Sequence, residues 1–265
     1  MADIGIFGGS GFYELLPDAT EHAIDTPYGP PSDLVVTGTF GGREVAFLPR
    51  HGRGHRIPPH RIDYRANVWA LAELGVTRVL APCAVGSLRP ELTLGTFVVL
   101  DQLVDRTTGR ADTFFDGPEV VHVSMADPYC PELRGIASEQ LTGMGRDHAD
   151  AGTIVVIQGP RFSTRAESRW FSAQGWDVVG MTQYPEIPLL REKAMCALGV
   201  AMVTDHDAGL EDHPDVEPVT AAGVLEVFAA NVDAVKELVE RVVAALPDEP
   251  GCRCAAALDD AHGAG

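Results

Sequence analysis

The chain has 265 residues, 45% hydrophobic and 22% charged, enough to bury the core of one large α/β domain. Its 20 Lys and Arg stand against 38 Asp and Glu, a formal charge of −18. That charge repels nucleic acid and anionic membrane surfaces and favours a small substrate. An anionic ligand would need its own local patch of positive charge, which draws attention to the basic stretch 50–65.

The elements follow in chain order. Met1-Ala2-Asp3 leads straight into an apolar strand with no basic leader. No apolar stretch is long enough to span a bilayer, so the expected location is the cytoplasm. Apolar runs of strand length, bounded by Gly, Pro or Asp, occur at 4–7, 34–37, 45–47, 76–81, 96–100, 154–157, 178–181 and 199–203. Helical periodicity occurs at 61–74, 165–174 and 184–197. Strongest is 219–246, where Val224, Leu225, Val227, Phe228, Val232, Val235, Leu238, Val239, Val242 and Val243 recur at three- and four-residue steps before Pro247. Strands alternating with helices predict an α/β fold with a mixed, largely parallel sheet covered by helices. Residues 1–246 form one predicted domain. The Ala-, Gly- and Asp-rich stretch 247–265 has no periodicity and reads as a flexible tail.

Five cysteines, Cys83, Cys130, Cys196, Cys252 and Cys254, make an odd number without CxxC or CxxH spacing. The pattern argues against a disulfide framework and against structural zinc. Cys252 and Cys254 read as two solvent-exposed thiols of the tail.

Five segments carry candidate chemistry. Ile4-Gly5-Ile6-Phe7-Gly8-Gly9-Ser10-Gly11 is a strand entering a glycine turn whose backbone N–H groups and Ser10 hydroxyl can cradle an anion. Its glycine spacing does not match G-x-G-x-x-G, and a plain strand-end turn explains it equally well. Leu48-Pro49-Arg50-His51-Gly52-Arg53-Gly54-His55-Arg56 clusters cations in an acidic chain. Arg50 offers a planar fork for two phosphate oxygens and His51 a further donor. The histidines alternate with arginines and no carboxylate follows until Asp63, so no metal is expected there.

Pro82-Cys83-Ala84-Val85-Gly86-Ser87-Leu88, expected just past strand 76–81, offers the small residues a ligand crevice needs. No base lies beside Cys83 to activate it, so lining or packing is its expected role. Gln158-Gly159-Pro160-Arg161-Phe162-Ser163-Thr164 and Val178-Val179-Gly180-Met181-Thr182 offer an aromatic face, a thioether and a hydroxyl. In Val203-Thr204-Asp205-His206-Asp207 two carboxylates flank a histidine. On an extended chain they point the same way and, if buried, raise each other's pKa. A proton relay, a metal site and a surface turn all fit that pattern.

Taken together, these segments resemble the purine nucleoside phosphorylase superfamily, and within it the S-methyl-5′-thioadenosine phosphorylases most closely. The resemblance runs from Ile4 to about Leu246. It is carried by the Gly-Gly-Ser-Gly turn, Arg50-His51-Gly52, Asn67-x-Trp69-Ala70-Leu71, Gly86-Ser87-Leu88-Arg89, Asp105-Arg106-Thr107-Thr108, Gly159-Pro160-Arg161-Phe162, Arg165-Ala166-Glu167-Ser168, Met181-Thr182 with Pro185-Glu186, and Thr204-Asp205-x-Asp207.

The resemblance implies a single α/β domain whose mixed sheet is partly barrel-like and flanked by helices, assembled as a homotrimer. It implies reversible phosphorolysis of a purine nucleoside, with phosphate as co-substrate, no other cofactor and no metal. The aspartate pair then favours a 6-aminopurine, S-methyl-5′-thioadenosine first, with a broader purine nucleoside phosphorylase acting on adenosine, inosine or methylthioinosine as the alternative. By position, Ser10, Arg50, His51, Ala84 and Thr182 would hold phosphate. Phe162 and Met181 would line the base and ribose, and Asp205 and Asp207 would address the purine as the catalytic pair. His122 would reach the 5′ end of a neighbouring subunit's substrate, and Val224 and Leu225 would form the apolar 5′ wall. Cys83 and Val85 stand where many relatives carry threonine and cysteine.

Overall fold

The computed structural model describes residues 2–8, 16, 19–210, 220–259 and 261. The first strand, β1 (Ile4–Gly8), is buried along its whole length. It lies parallel between β4 (Arg43–Pro49) and β5 (Arg78–Ser87), which explains its unbroken apolar run. An antiparallel edge of β2 (Thr20–His22) and β3 (Val35–Phe40) extends the sheet beyond β4.

Helix α1 (Tyr64–Glu73) starts where the Asp63 side chain accepts from the Ala66 N–H. Next come β6 (Phe97–Val99), β7 (Gln102–Arg106) and α2 (Pro131–Gly143). They are followed by β8 (His148–Ala149), β9 (Thr153–Ile157) and α3 (Arg165–Ala173), which opens with a Thr164/Glu167 capping box. The chain continues through β10 (Val178–Gly180), α4 (Gln183–Glu192), β11 (Cys196–His206) and α5 (Ala221–Ala245).

The eleven strands among the described residues form one mixed sheet, ordered β2-β3-β4-β1-β5-β10-β9-β7, with β11 on β5 and β6 joining β11 to β8. The sheet divides at β5. Arg78, Val79 and Leu80 pair with β1, Gly86 and Ser87 pair with β10, and β11 runs parallel to the whole of β5. A sheet that branches in this way curls into a partly barrel-like wall without closing. Helices α1 and α4 cover one apolar core, built on Leu48, Val68, Val79, Ile187 and Leu190. Helices α2 and α5 cover a second, built on Phe47, Leu80, Leu133, Leu198, Leu238 and Val242, and Phe171 of α3 packs into a smaller third with Leu88, Val155 and Val179. Among the described residues no helix is long and apolar enough to cross a membrane.

Three sequence expectations change. Segment 82–87 is not a loop but the second half of β5, because pairing with β11 continues to Ser87. Helix 184–197 ends at Glu192 and its last residues open β11, since parallel pairing with β5 overrides their helical spacing. The stretch after Leu246 is not a free tail with two exposed thiols. Buried Arg78 donates to the carbonyls of Pro247 (2.6 Å) and Asp248 (2.9 Å). The Gly251 N–H donates to Glu132 Oε1, Cys254 is buried and Cys252 partly so. These bonds satisfy backbone groups that a mobile tail would leave to water.

Candidate active site

A cavity of roughly 810 Å³ opens between the sheet and the first turns of α5, a size suited to a small organic ligand. The structure brings Arg50, His51, Ala84, Phe162, Met181, Thr182, Asp205, Asp207, Val224 and Leu225 to its wall. His122 does not line it. That residue is exposed, with its backbone N–H donating to the Ala261 carbonyl. Ser10 lies outside the described residues.

The cationic part of the wall begins where β4 ends. Arg50 is almost wholly buried, and its Nε and Nη2 donate to Glu186 Oε2 (2.6 Å) and Oε1 (2.7 Å), with a longer bond from Nη1 to the Pro82 carbonyl (3.3 Å). Burial opposes the guanidinium's charge, but Glu186's charge and hydrogen bonds offset it, and the pKa rises. A guanidinium has five N–H donors, so two of Arg50's remain for a ligand. Pro185-Glu186 is part of the family resemblance, but the sequence assigns Glu186 no role. A carboxylate inside an apolar helical pattern needs a buried cation, and that was the available signal.

His51 departs from the expected donor. Its Nδ1 lies 2.8 Å from the Ile57 carbonyl, which can only accept, so Nδ1 carries the proton. Burial lowers the ring's pKa to about 4; the Ile57 bond opposes this, and Arg50 and His55 reinforce it. At neutral pH Nε2 therefore presents a lone pair. Thr182, at the amino end of α4, is buried, and its side chain makes no helix-capping bond, leaving the hydroxyl available to the cavity. Burial pushes the Cys83 thiol up to about 12, so it lines the cavity without being a nucleophile.

The acidic part is built at the end of β11. The register slips between Val203 and Asp205, so Asp205 pairs with Gly86 where Val203 pairs with Val85. Such a bulge re-aims the side chains that follow it. A side chain at Gly86 would bring a Cβ within 2.9 Å of Asp205 Oδ2, so the carboxylate depends on glycine there. Burial raises Asp205 to about 6; the Thr204 hydroxyl, 2.9 Å from Oδ1, pulls it down and the charge of Asp207 pushes it up.

Asp207 lies one residue past the strand, its N–H donating to the Ser87 carbonyl. Burial raises its pKa too, while Ser168 and Ser163 pull it down. Its Oδ2 is buried and makes no hydrogen bond of good geometry among the described residues, and the Ser163 and Ser168 hydroxyls beside the carboxylate are likewise unbonded, so the group can accept from a ligand.

Apolar surfaces complete the wall. Gly159 has φ +61°, and a Cβ there would meet Met181 Sδ at 2.6 Å, so glycine lets the thioether approach. Phe162 is 36% exposed and Leu225 67% exposed. The capping bond from the Gly223 N–H to Thr220 Oγ1 fixes the start of α5, which carries Val224 and Leu225.

The comparisons agree with this constellation. A family model described as Phosphorylase superfamily matches residues 3–244. The chain is 55% identical to the purine nucleoside phosphorylase of Streptomyces coelicolor, covering 97% of this chain and 94% of that protein. It is 52% identical to the S-methyl-5′-thioadenosine phosphorylase of Thermofilum pendens, covering 97% of each. It superposes on the crystal structure of a methylthioadenosine phosphorylase sourced from an antarctic soil metagenomic library with a TM-score of 0.91, at 41% identity, over 99% of this chain and 92% of that one. Matches that span nearly the whole chain and share this architecture leave one conclusion: the chain belongs to the phosphorylase superfamily.

Proposed function

We propose that the chain is a pentosyltransferase that cleaves S-methyl-5′-thioadenosine with inorganic phosphate, releasing adenine and 5-methylthioribose 1-phosphate. One observation carries this reading: a single cavity holds both a buried arginine with uncommitted donors and a pair of carboxylates whose pKa values are raised. The relatives named methylthioadenosine phosphorylase support it.

Arg50's two remaining N–H groups and the Thr182 hydroxyl would donate to phosphate. The His51 Nε2 lone pair would accept from the protonated oxygen of monohydrogen phosphate. Ala84 has no side-chain donor and would act only through its main chain. As the C1′–N9 bond breaks, its electron pair goes to the purine and a phosphate oxygen bonds to C1′. The purine then needs a proton at N7. Asp205, with its pKa raised to about 6, is protonated in roughly a tenth of molecules at pH 7 and is poised to supply it. The unpartnered Asp207 Oδ2 would accept from the 6-amino group, which favours adenine over a 6-oxopurine.

Met181 and Phe162 would pack on ribose and base, and Val224 and Leu225 on the methylthio group. His122, exposed here, would reach the 5′ end of the substrate in a neighbouring subunit of a homotrimer, acting in the cytoplasm. No cofactor beyond phosphate is needed.

The test is product formation from methylthioadenosine, adenosine, inosine and methylthioinosine, each with and without phosphate. Turnover that requires phosphate and is highest on methylthioadenosine is expected. Phosphate-independent cleavage would make the protein a hydrolase. A preference for the two 6-oxo substrates would overturn the role given to Asp207, and equal use of adenosine would make the protein a broader purine nucleoside phosphorylase, the name carried by the Streptomyces relative.

A further inference from the structure

Four of the five cysteines meet far from one another in sequence. Cys130 precedes the first turn of α2, Cys196 begins β11, and Cys252 and Cys254 belong to the C-terminal segment. Their sulfurs all lie within 4.8 Å of one another, and no other group of three or more His, Cys, Asp or Glu among the described residues converges in this way. None of the four lines the cavity, so the phosphorolysis reading gives them no task.

We propose that Cys130, Cys196, Cys252 and Cys254 bind a structural zinc ion that staples the C-terminal segment to the body of the protein. Zinc with four thiolates is tetrahedral with Zn–S of ~2.3 Å, which sets the sulfurs about 3.8 Å apart. The sulfurs of Cys196 and Cys252 are 3.3 Å apart and all four lie within 4.8 Å, so closing round an ion takes shifts of an ångström or less. An all-sulfur donor set selects a soft or borderline cation over calcium or magnesium.

Three surrounding features suit the ion. Cys130 sits at the amino end of α2, where free N–H groups favour a thiolate. Arg78, buried and paired in register with Cys196, donates to the Pro247 and Asp248 carbonyls and so ties the segment that carries Cys252 and Cys254 beside β11. Cys252 is only partly buried, giving the ion a way in, while the other three are closed off.

The segment also needs such a staple. After Leu246 its buried apolar residues are only Cys254 and Ala261 among those described, too little apolar area to offset the entropy of ordering more than ten residues. Sequence spacing did not suggest zinc because the ligands come from three separate elements rather than from a CxxC knuckle.

The test uses the full chain, purified under reducing conditions without chelator. Metal analysis is expected to return about one zinc per chain, as for a closed Cys₄ site. Replacing zinc with cobalt should give thiolate-to-cobalt charge transfer and the strong visible bands of a tetrahedral site. The double variant Cys252→Ser/Cys254→Ser should lose the metal and the cobalt spectrum while keeping turnover on methylthioadenosine. Wild-type protein without stoichiometric metal that also gives no cobalt–thiolate spectrum would overturn the proposal, as would zinc retained by the double variant. Mass spectrometry showing the four cysteines as two disulfides in protein handled without oxidant would overturn it too. If the double variant does not fold, the metal content and cobalt spectrum of the wild type decide alone. Because none of these measurements depends on which nucleoside is cleaved, failure here and failure of the phosphorolysis reading are separable.

Discussion

The cationic and acidic parts of the cavity wall solve the burial of charge in opposite ways. At Arg50 the protein completes the charge compensation itself, since Glu186 takes two of the five N–H groups in the absence of any ligand. At Asp205 and Asp207 compensation is left unfinished. Both carboxyls are raised, the charge of Asp207 bears on Asp205, and one buried oxygen of Asp207 makes no hydrogen bond of good geometry among the described residues. The first arrangement would make a preorganised anion grip in a chain of formal charge −18. Under the proposed function, the second would meet a 6-aminopurine leaving group that exchanges a proton with Asp205 and donates to Asp207. On the same reading, preorganisation on one side would serve phosphate binding and unfinished compensation on the other would serve activation of the base.

Three predictions would break or sharpen this contrast. The largest effect is expected at Asp205→Asn, which keeps shape but cannot deliver a proton. Turnover should fall by ~10²–10⁴ with little change in phosphate KM. In the unsubstituted enzyme kcat/KM should decline with an apparent pKa near 6 as pH rises, the value to which burial lifts Asp205. A variant that retains full turnover would remove Asp205 from the chemistry.

Arg50→Ala comes next. It strands Glu186 as an uncompensated buried charge, so thermal or denaturant unfolding should show a loss of about 3–5 kcal/mol, together with a rise in phosphate KM. Arg50→Met combined with Glu186→Leu should restore much of the stability but none of the phosphate affinity. If the double variant bound phosphate normally, the grip would lie elsewhere.

The smallest effect is a stability change at Asp205 in the ligand-free protein. Its folded pKa of about 6 exceeds the ordinary 3.8, so the folded state binds the proton more tightly and ionisation costs stability. That cost is absent below pH 3.8, grows up to pH 6 and is constant above it. Asp205→Asn should therefore stabilise the protein by roughly 1–3 kcal/mol at neutral pH and not in acid. Equal melting temperatures at both pH values would show that the carboxylate is not strained.

Much of the fold was legible because its signals are local. The apolar runs became β1, β4, β9 and β10 with small shifts at their ends, and the long periodic run became α5. Helix α2 was missed: its buried face is just Leu133, Ala137 and Leu141, with glycines at 135 and 143 blurring the pattern. Strand β7 was missed because only its first residues are shielded from solvent. Some motif residues that carried the family resemblance turn out to hold structure rather than ligand. Asn67 bonds the Ser32 backbone and hydroxyl, and Glu167 closes the α3 capping box.

By itself the sequence determined the residue types the chemistry needs: a basic loop in an acidic chain, a hydroxyl after a strand, and two carboxylates flanking His206. These follow from composition and spacing along one stretch of chain. Tertiary structure alone decided that Glu186 would bind Arg50 across 136 residues, and that Ile57 would fix the proton on the His51 ring. It alone slipped β11 by one residue before Asp205 and gathered four distant cysteines against the C-terminal segment. Each of these depends on which buried group finds a partner, and partnership in a folded chain is set by packing between elements rather than by neighbours in sequence.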